Sequence, residues 1–158
     1  MKIHIIGGPG SGKSFLAKKL SRRYGIPHYD LDDLFWNNDA RRCGTKRDPQ
    51  ERDALLAEIL QKNDWIVEGV YYAWCLRCFE DADRIYLLDT PRRQYRRRII
   101  RRFIRRKLAL EDGKRETLRS VSELLKWADH YREVNLPQIR KLLEAYPEKV
   151  TSDKGECL

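Results

Sequence analysis

The sequence predicts an α/β fold, a parallel sheet flanked by helices, and three observations carry that prediction. Short β-branched runs alternate with amphipathic helical runs. A glycine-rich loop joins the first strand to the first helix. No repeat, low-complexity tract or Pro/Gly/Ser linker divides the 158 residues. One domain over residues 1–158 is the expected organisation, since domains run to roughly 100–200 residues.

The elements follow in order. Lys2 to Ile6 is apolar and β-branched, a buried strand that stops at Gly7-Gly8-Pro9-Gly10. Ser14 to Tyr24 puts Leu16, Ala17 and Leu20 on one helical stripe, with Gly25 and Pro27 as its stop. His28 to Leu31 reads as a second strand. Asp48-Pro49-Gln50-Glu51 supplies an N-cap, a proline at the first helical position and a glutamate that can complete a capping box. The helix it opens carries Leu55, Leu56, Ile59 and Leu60. Trp65-Ile66-Val67 and Arg84 to Leu88 are the third and fourth strands. Pro91 opens a cationic helix whose expected apolar stripe is Tyr95, Ile99, Ile100, Phe103 and Ile104, and a last helical region runs from about Thr117 to Tyr146, broken at Pro137.

Charge is concentrated rather than spread. The chain carries 33 Lys+Arg against 24 Asp+Glu, a formal +9. Arg92 to Lys107 holds nine arginines, one lysine and no acid, which leaves −1 on the rest. A polyanionic partner, nucleotide or nucleic acid, is implied. No apolar run approaches the ~20 residues a bilayer span needs, and the N-terminus lacks a signal-peptide core, so a cytoplasmic protein with no membrane partner is expected. Cys43, Cys75, Cys78 and Cys157 suggest no secreted disulfide framework, and Cys75-Leu76-Arg77-Cys78 lacks two further zinc ligands nearby, so ordinary thiols are expected.

Gly7-Gly8-Pro9-Gly10-Ser11-Gly12-Lys13-Ser14 matches G-x-x-x-x-G-K-[ST] in full, with a strand before it and a helix after. The spacing has a chemical reason. Glycines let backbone N–H groups turn inward around a phosphate where a Cβ would obstruct. Lys13 adds a cation for the β/γ oxygens, and the Ser14 hydroxyl can ligate Mg²⁺. The helix directs its positive end at the same phosphates. ATP and Mg²⁺ are the expected cofactors, with residues 7–14 as their cradle.

The downstream acids narrow the class. His28-Tyr29-Asp30-Leu31-Asp32-Asp33, Val67-Glu68-Gly69 and Leu87-Leu88-Asp89 each end a strand on the side where open α/β sheets build their ligand crevice. A short chain of this design fits a kinase of a small acceptor. Gly7 to Ser14, Leu31-Asp32-Asp33-Leu34-Phe35-Trp36, Trp65-Ile66-Val67-Glu68-Gly69-Val70-Tyr71, Leu88-Asp89-Thr90-Pro91 and a Trp127…Tyr131…Pro137 tail together resemble the topology-modulation-protein family. Those are adenylate-kinase-like P-loop proteins. The resemblance implies a P-loop NTPase fold of the nucleoside-monophosphate-kinase type, with a short Arg-rich lid at about 92–120, and an ATP-dependent kinase. Two positions depart from that family: Glu68-Gly69-Val70-Tyr71 stands where Asp-Gly-Asn-Tyr is usual, and Phe15 follows Ser14 where threonine is common.

Roles follow, with plainer readings beside them. Asp32 is the candidate to orient the acceptor hydroxyl and accept its proton; its plainer role is an N-cap. Asp30 and Asp33 read as solvated. Glu68 is the magnesium-associated acid through a bound water, with Asp89 the competitor, unless Asp89 only stabilises the turn before Pro91. Arg93, Arg97, Arg101 and Arg105 are the lid arginines expected over the triphosphate, Arg97 and Arg101 foremost; a solvated face is the alternative. Tyr71, Tyr72, Trp74, Phe35 and Trp36 could line an acceptor pocket, or be core. Arg41, Arg42, Lys46 and Arg47 could hold an acceptor phosphate. The function read from the sequence is transfer of the γ-phosphoryl of Mg-ATP to a small acceptor such as a nucleoside or nucleotide. The alternative is a nucleic-acid-binding P-loop protein, or a 5′-hydroxyl nucleic-acid kinase, that uses the Arg-rich helix.

Overall fold

The computed structural model describes residues 1–37, 44–108 and 117–151. Arg41, Arg42, Cys43, Cys157 and part of the expected lid lie outside these residues. Among those described, β1 (Lys2–Gly7), β2 (His28–Asp30), β3 (Trp65–Gly69), β4 (Arg84–Leu88) and β5 (Val150–Thr151) form one sheet in the order β2-β3-β1-β4-β5. Every pairing is parallel, with Ile5 opposite Glu68 on one side of β1 and Tyr86 on the other. The helices are α1 (Lys13–Tyr24), α2 (Leu31–Phe35), α3 (Pro49–Leu60), α4 (Leu76–Asp81), α5 (Arg92–Lys107), α6 (Leu118–His130) and α7 (Leu136–Leu143).

The pleat of β1 sorts its residues onto two cores. Ile3 and Ile5 pack with Leu16, Ala17 and Leu20 of α1, while Ile6 faces Leu56, Phe79 and Ile139 on the other side. All three isoleucines are fully buried, as a central strand covered on both faces requires. His4 also points to the second face, edge-on to the Phe79 ring at 4.5 Å.

Three sequence expectations change in detail. On α5 the buried stripe is Tyr95, Ile99 and Phe103, packed on Val121 and Ala128 of α6, whereas Ile100 and Ile104 are exposed. One neighbouring helix covers only one stripe, and 100 and 104 lie on its far side. The break expected at Pro137 sits earlier, as a π-helical turn at Tyr131–Asn135 between α6 and α7. Proline has no N–H and its ring crowds the carbonyl four residues back, and a widened turn just before it relieves both. Asp48 caps α3 as expected, accepting from the N–H groups of Gln50 and Glu51, but the Glu51 carboxylate pairs with Arg47 at 2.5 Å instead of closing a capping box. The reciprocal box forms at Thr117 and Ser120, which start α6.

Candidate active site

The loop after β1 turns back on itself because two of its glycines adopt left-handed backbone: Gly10 at φ 71° and Gly12 at φ 105°. A Cβ on Gly10 would stand 2.8 Å from the Tyr95 carbonyl oxygen, so α5 approaches the loop as closely as its backbone allows. Tyr131, delivered by the π turn, presses on Gly8 from the other side. Inside the turn, the Ser11 N–H donates to the Gly8 carbonyl at 3.2 Å, and Lys13 Nζ donates to the same oxygen at 3.2 Å. The lysine is thus laid back across the loop that α1 continues. Burial pulls its pKa down, and the charges of Glu68, Asp30 and Asp32 oppose that pull.

Above the loop opens a cleft of about 720 Å³ at the carboxyl ends of β1, β2 and β3, with α5 and α6 as its far wall. Pro9, Gly10, Gly12, Lys13 and Ser14 form its phosphate-loop side, and Asp30, Asp32, Asp33 and Glu68 the acidic side. Gly7, Gly8 and Ser11 do not line it; Gly7 is buried, and Gly8 and Ser11 border a small pocket beside Asp89 and Tyr131. Of the expected site residues, the structure therefore brings Lys13, Ser14, Asp32 and Glu68 to one cleft.

Glu68 is buried at the end of β3, and its Oε1 has no hydrogen-bond partner among the described residues. A buried carboxylate oxygen facing a cleft beside Lys13 and Ser14 has the chemistry to accept from a metal-bound water. Asp89 is placed differently. Its carboxylate is held by Arg132 Nη1 at 2.6 Å and by Arg140, away from the cleft. Of the two acids weighed in the sequence, Glu68 lines the cleft and Asp89 does not. With the glycine cradle and the orphaned oxygen, the residues present fit Mg²⁺ and a nucleotide polyphosphate.

Asp32 does not cap α2. Asp30 does, its carboxylate accepting from the Asp32 N–H at 2.9 Å. That frees the Asp32 carboxylate, whose Oδ1 accepts from the Tyr71 hydroxyl at 2.7 Å. Burial first, and then this hydrogen bond, keep the Tyr71 phenol protonated well above its ordinary range. Asp30 is no solvated bystander: burial first, then the Glu68 charge, push its carboxyl up to about 7. The Tyr71 ring stacks on Phe35 at 4.8 Å, with Trp74 at 5.5 Å, so these aromatics pack on each other beside the cleft. Lys46 stands over the Phe35 ring, and Arg47 is spent on backbone carbonyls of α2 and on Glu51.

The arginines need a correction. Arg97 and Arg101 do not face the cleft; with Arg93 and Arg105 they line a groove on the opposite side of α5. Arg98, Arg102 and Arg106 line the cleft instead. At about 100° per residue, these three flank the buried Tyr95/Ile99/Phe103 stripe, whereas 97 and 101 lie diametrically across from it. The signal was in the sequence, but reading it required knowing which side of the stripe meets the loop. Arg98 Nη1 already donates to the Ser11 carbonyl at 2.6 Å. Trp127 and Leu124 of α6 add an apolar patch to the same wall; the sequence marked Trp127 only as part of the family-like tail and gave it no place in the site. Cys75 and Cys78 are both buried free thiols; a hydrogen bond to Cys78, and burial, raise the Cys75 pKa, which is the opposite of an activated thiol.

Comparison with known proteins agrees with this geometry. The chain is 37% identical over 73 residues to the YqaC protein of Bacillus subtilis (strain 168), covering 46% of this chain and 39% of that one. It is 34% identical over 67 residues to an adenylate kinase of Kosmotoga olearia, 42% of this chain and 30% of the kinase. An adenylate kinase of Clostridium botulinum (strain Eklund 17B / Type B) is 50% identical over 38 residues, 24% of this chain and 18% of that one. The matched stretches thus span well under half the length of these relatives. A structure of shikimate kinase from Acinetobacter baumannii in complex with shikimate superposes with a TM-score of 0.62 at 14% identity, covering 99% of this chain and 84% of that one. That likeness is one of fold, a shikimate-kinase-like P-loop fold around the five-stranded parallel sheet. The AAA domain model AAA_17 matches residues 6–119, from the end of β1 through the loop, the acidic strand ends and α5 into the start of α6, and the chain belongs to that AAA domain family.

Proposed function

We propose that the protein is an ATP-dependent phosphotransferase that moves the γ-phosphoryl of Mg-ATP to a hydroxyl of a small acceptor. One observation carries this reading: a single cleft joins Lys13 and Ser14 of the glycine loop to Glu68, whose Oε1 has no hydrogen-bond partner among the described residues, and to Asp32, held by Tyr71. A switch or motor site needs no oriented carboxylate on an acceptor side; a kinase does. The relatives named adenylate kinase, and the fold likeness to one named shikimate kinase, support the same class. The finer reading is a member of the topology-modulation-protein family, with residues 1–158 as one kinase domain whose lid spans about 92–120.

Mg-ATP supplies the activated phosphoryl group. The chain's residues supply placement and charge. Backbone N–H groups of residues 8 and 10–14 and the Lys13 ammonium would bind phosphate oxygens, and Ser14 and Glu68 would hold the metal, Glu68 through a bound water. Tyr71 fixes Asp32 through Oδ1, which leaves Oδ2 to orient the acceptor hydroxyl and take its proton. Arg98, Arg102 and Arg106, and not Arg97 and Arg101, face the developing charge on the transferring group. The test is an acceptor screen with γ-labelled ATP over nucleosides, nucleoside monophosphates, other small hydroxylated compounds and 5′-hydroxyl oligonucleotides. Label transfer that Asp32→Asn lowers by about 10²-fold or more, in the range for general acid–base groups, supports the roles above. Transfer indifferent to Asp32→Asn contradicts them.

A further inference from the structure

The outward groove of α5 is not used by the reaction proposed above. It has a volume of about 790 Å³ and is lined by arginines and by Ile100 and Ile104. Two of its arginines share one carboxylate: Arg92 and Arg96 both pair with Asp129, at 2.7 and 2.6 Å, which offsets one of their two charges. Arg93, Arg97 and Arg101 are exposed and have no acidic partner among the described residues. They recur every four residues, about 6 Å apart along the axis. Like charges at that spacing destabilise a helix, so the row carries a cost that no internal ion pair offsets.

We propose that this face docks nucleic-acid duplex through its phosphate backbone, independently of the cleft. Three features select this occupant. Nine of the ten cations between Arg92 and Lys107 are arginine, whose planar fork grips phosphate oxygens bidentately, where a purely electrostatic surface would do as well with lysine. The groove contains no aromatic side chain, so the base stacking that holds single strands is absent, and the higher charge density of a duplex decides. Among the described residues its apolar surface comes from two isoleucines and the stems of the arginines, each ending in a cation, and not from the Trp, Phe or Leu side chains with which an amphipathic helix enters a bilayer. Binding through the phosphate backbone carries no sequence information, so it is expected to be independent of sequence.

The experiment is fluorescence anisotropy with a labelled 20-base-pair duplex of mixed sequence, over roughly 50–200 mM salt. If three phosphates are neutralised by Arg93, Arg97 and Arg101, affinity falls roughly 40-fold over that range, from a log–log slope of about −0.9 per phosphate. The triple variant Arg93→Gln/Arg97→Gln/Arg101→Gln is expected to bind at least 10-fold more weakly at the lowest salt, with a slope shallower by roughly 2–3. Arg22→Gln/Arg23→Gln, on exposed α1, is the control that keeps wild-type binding; circular dichroism and thermal melting show that both variants are folded. Saturating Mg-ATP leaves duplex affinity unchanged, because the groove and the cleft are lined by different residues. Any of four results overturns the proposal: wild-type affinity in the triple variant, displacement of duplex by Mg-ATP, tighter binding of the matching single strand, or retention on phosphatidylserine vesicles without duplex binding.

Discussion

Lys13 is the residue on which the chemistry rests most heavily. It lies across the loop with its ammonium on the Gly8 carbonyl, one shift away from a phosphate oxygen. Lys13→Ala is expected to lower phosphoryl transfer by two or more orders of magnitude, with an unchanged circular dichroism spectrum, since the side chain stabilises charge and supports no core packing. Tyr71 acts through Asp32. Tyr71→Phe removes the hydrogen bond to Oδ1 and keeps the ring stack on Phe35, so kcat should fall several-fold while ATP affinity holds, as isothermal titration beside steady-state kinetics would show. Two buried groups set opposing pH dependences. His4 is held neutral by burial, its pKa lowered to about 4, so stability present above pH 6.5 is lost as pH falls toward 4. A shift of that size corresponds to roughly 3 kcal/mol. Asp30 runs the other way. Its carboxyl, raised to about 7 in the fold, favours the folded state at low pH, and that stability is lost as pH rises from about 4 to 7. The two largely cancel in the native chain. Asp30→Asn keeps an N-cap for α2 and removes one arm. Thermal melts of that variant from pH 4 to 8 should show higher stability than wild type at pH 8 and a steep loss below 6.5. A parallel profile in both proteins would refute the assignment.

At the scale of elements, α5 does two things with one sequence. Its buried stripe anchors it on α6, its Tyr95 hydroxyl and two arginines converge on Asp129, and the remaining arginines divide between cleft and outer groove. Kinetics on single variants separate the faces. Arg98→Gln, Arg102→Gln or Arg106→Gln should each reduce turnover by 10-fold or more, whereas Arg97→Gln and Arg101→Gln should stay within about 2-fold, the size of an unscreened charge near a site. The loop–α5 junction gives a second test. Gly10→Ala puts a Cβ against the Tyr95 carbonyl at a backbone angle that L-residues rarely adopt. A loss of about 1–3 kcal/mol in denaturant melts, with nucleotide affinity reduced alongside, is the expected result. An unaffected Gly10→Ala protein would mean that the loop is not pinned in this conformation.

Across the whole molecule, the parts legible in the sequence are those with strong local signals. β1, the glycine loop and α1 could be read because a β-branched run, left-handed glycines and a 3.6-residue stripe follow one another without a break. The short elements and long-range contacts that shape the site could not. α2 and α4 are five and six residues long, too short for a periodic pattern, and β5 is a two-residue edge strand defined only by its pairing with β4. The Tyr71–Asp32 hydrogen bond joins residues 39 apart, and the Asp89 ion pairs reach into the π turn and α7, where no local pattern signals them. Likewise the sequence showed arginines at helical spacing but not which side of α5 the glycine loop meets. Placement of the acids at the carboxyl ends of β2 and β3 was legible because a parallel sheet dictates it; that Glu68 lines the cleft while Asp89 is paired with arginines came only with the structure. The proposed phosphoryl transfer rests on one cleft. The most direct test is γ-labelled ATP with the acceptor found by screening, run with wild type and Lys13→Ala side by side under matched folding controls. The account predicts magnesium-dependent transfer of label to the acceptor by the wild type and loss of at least 10²-fold in Lys13→Ala. Transfer at wild-type rate by Lys13→Ala, or no transfer to any acceptor class by a wild-type protein that binds Mg-ATP, would contradict it.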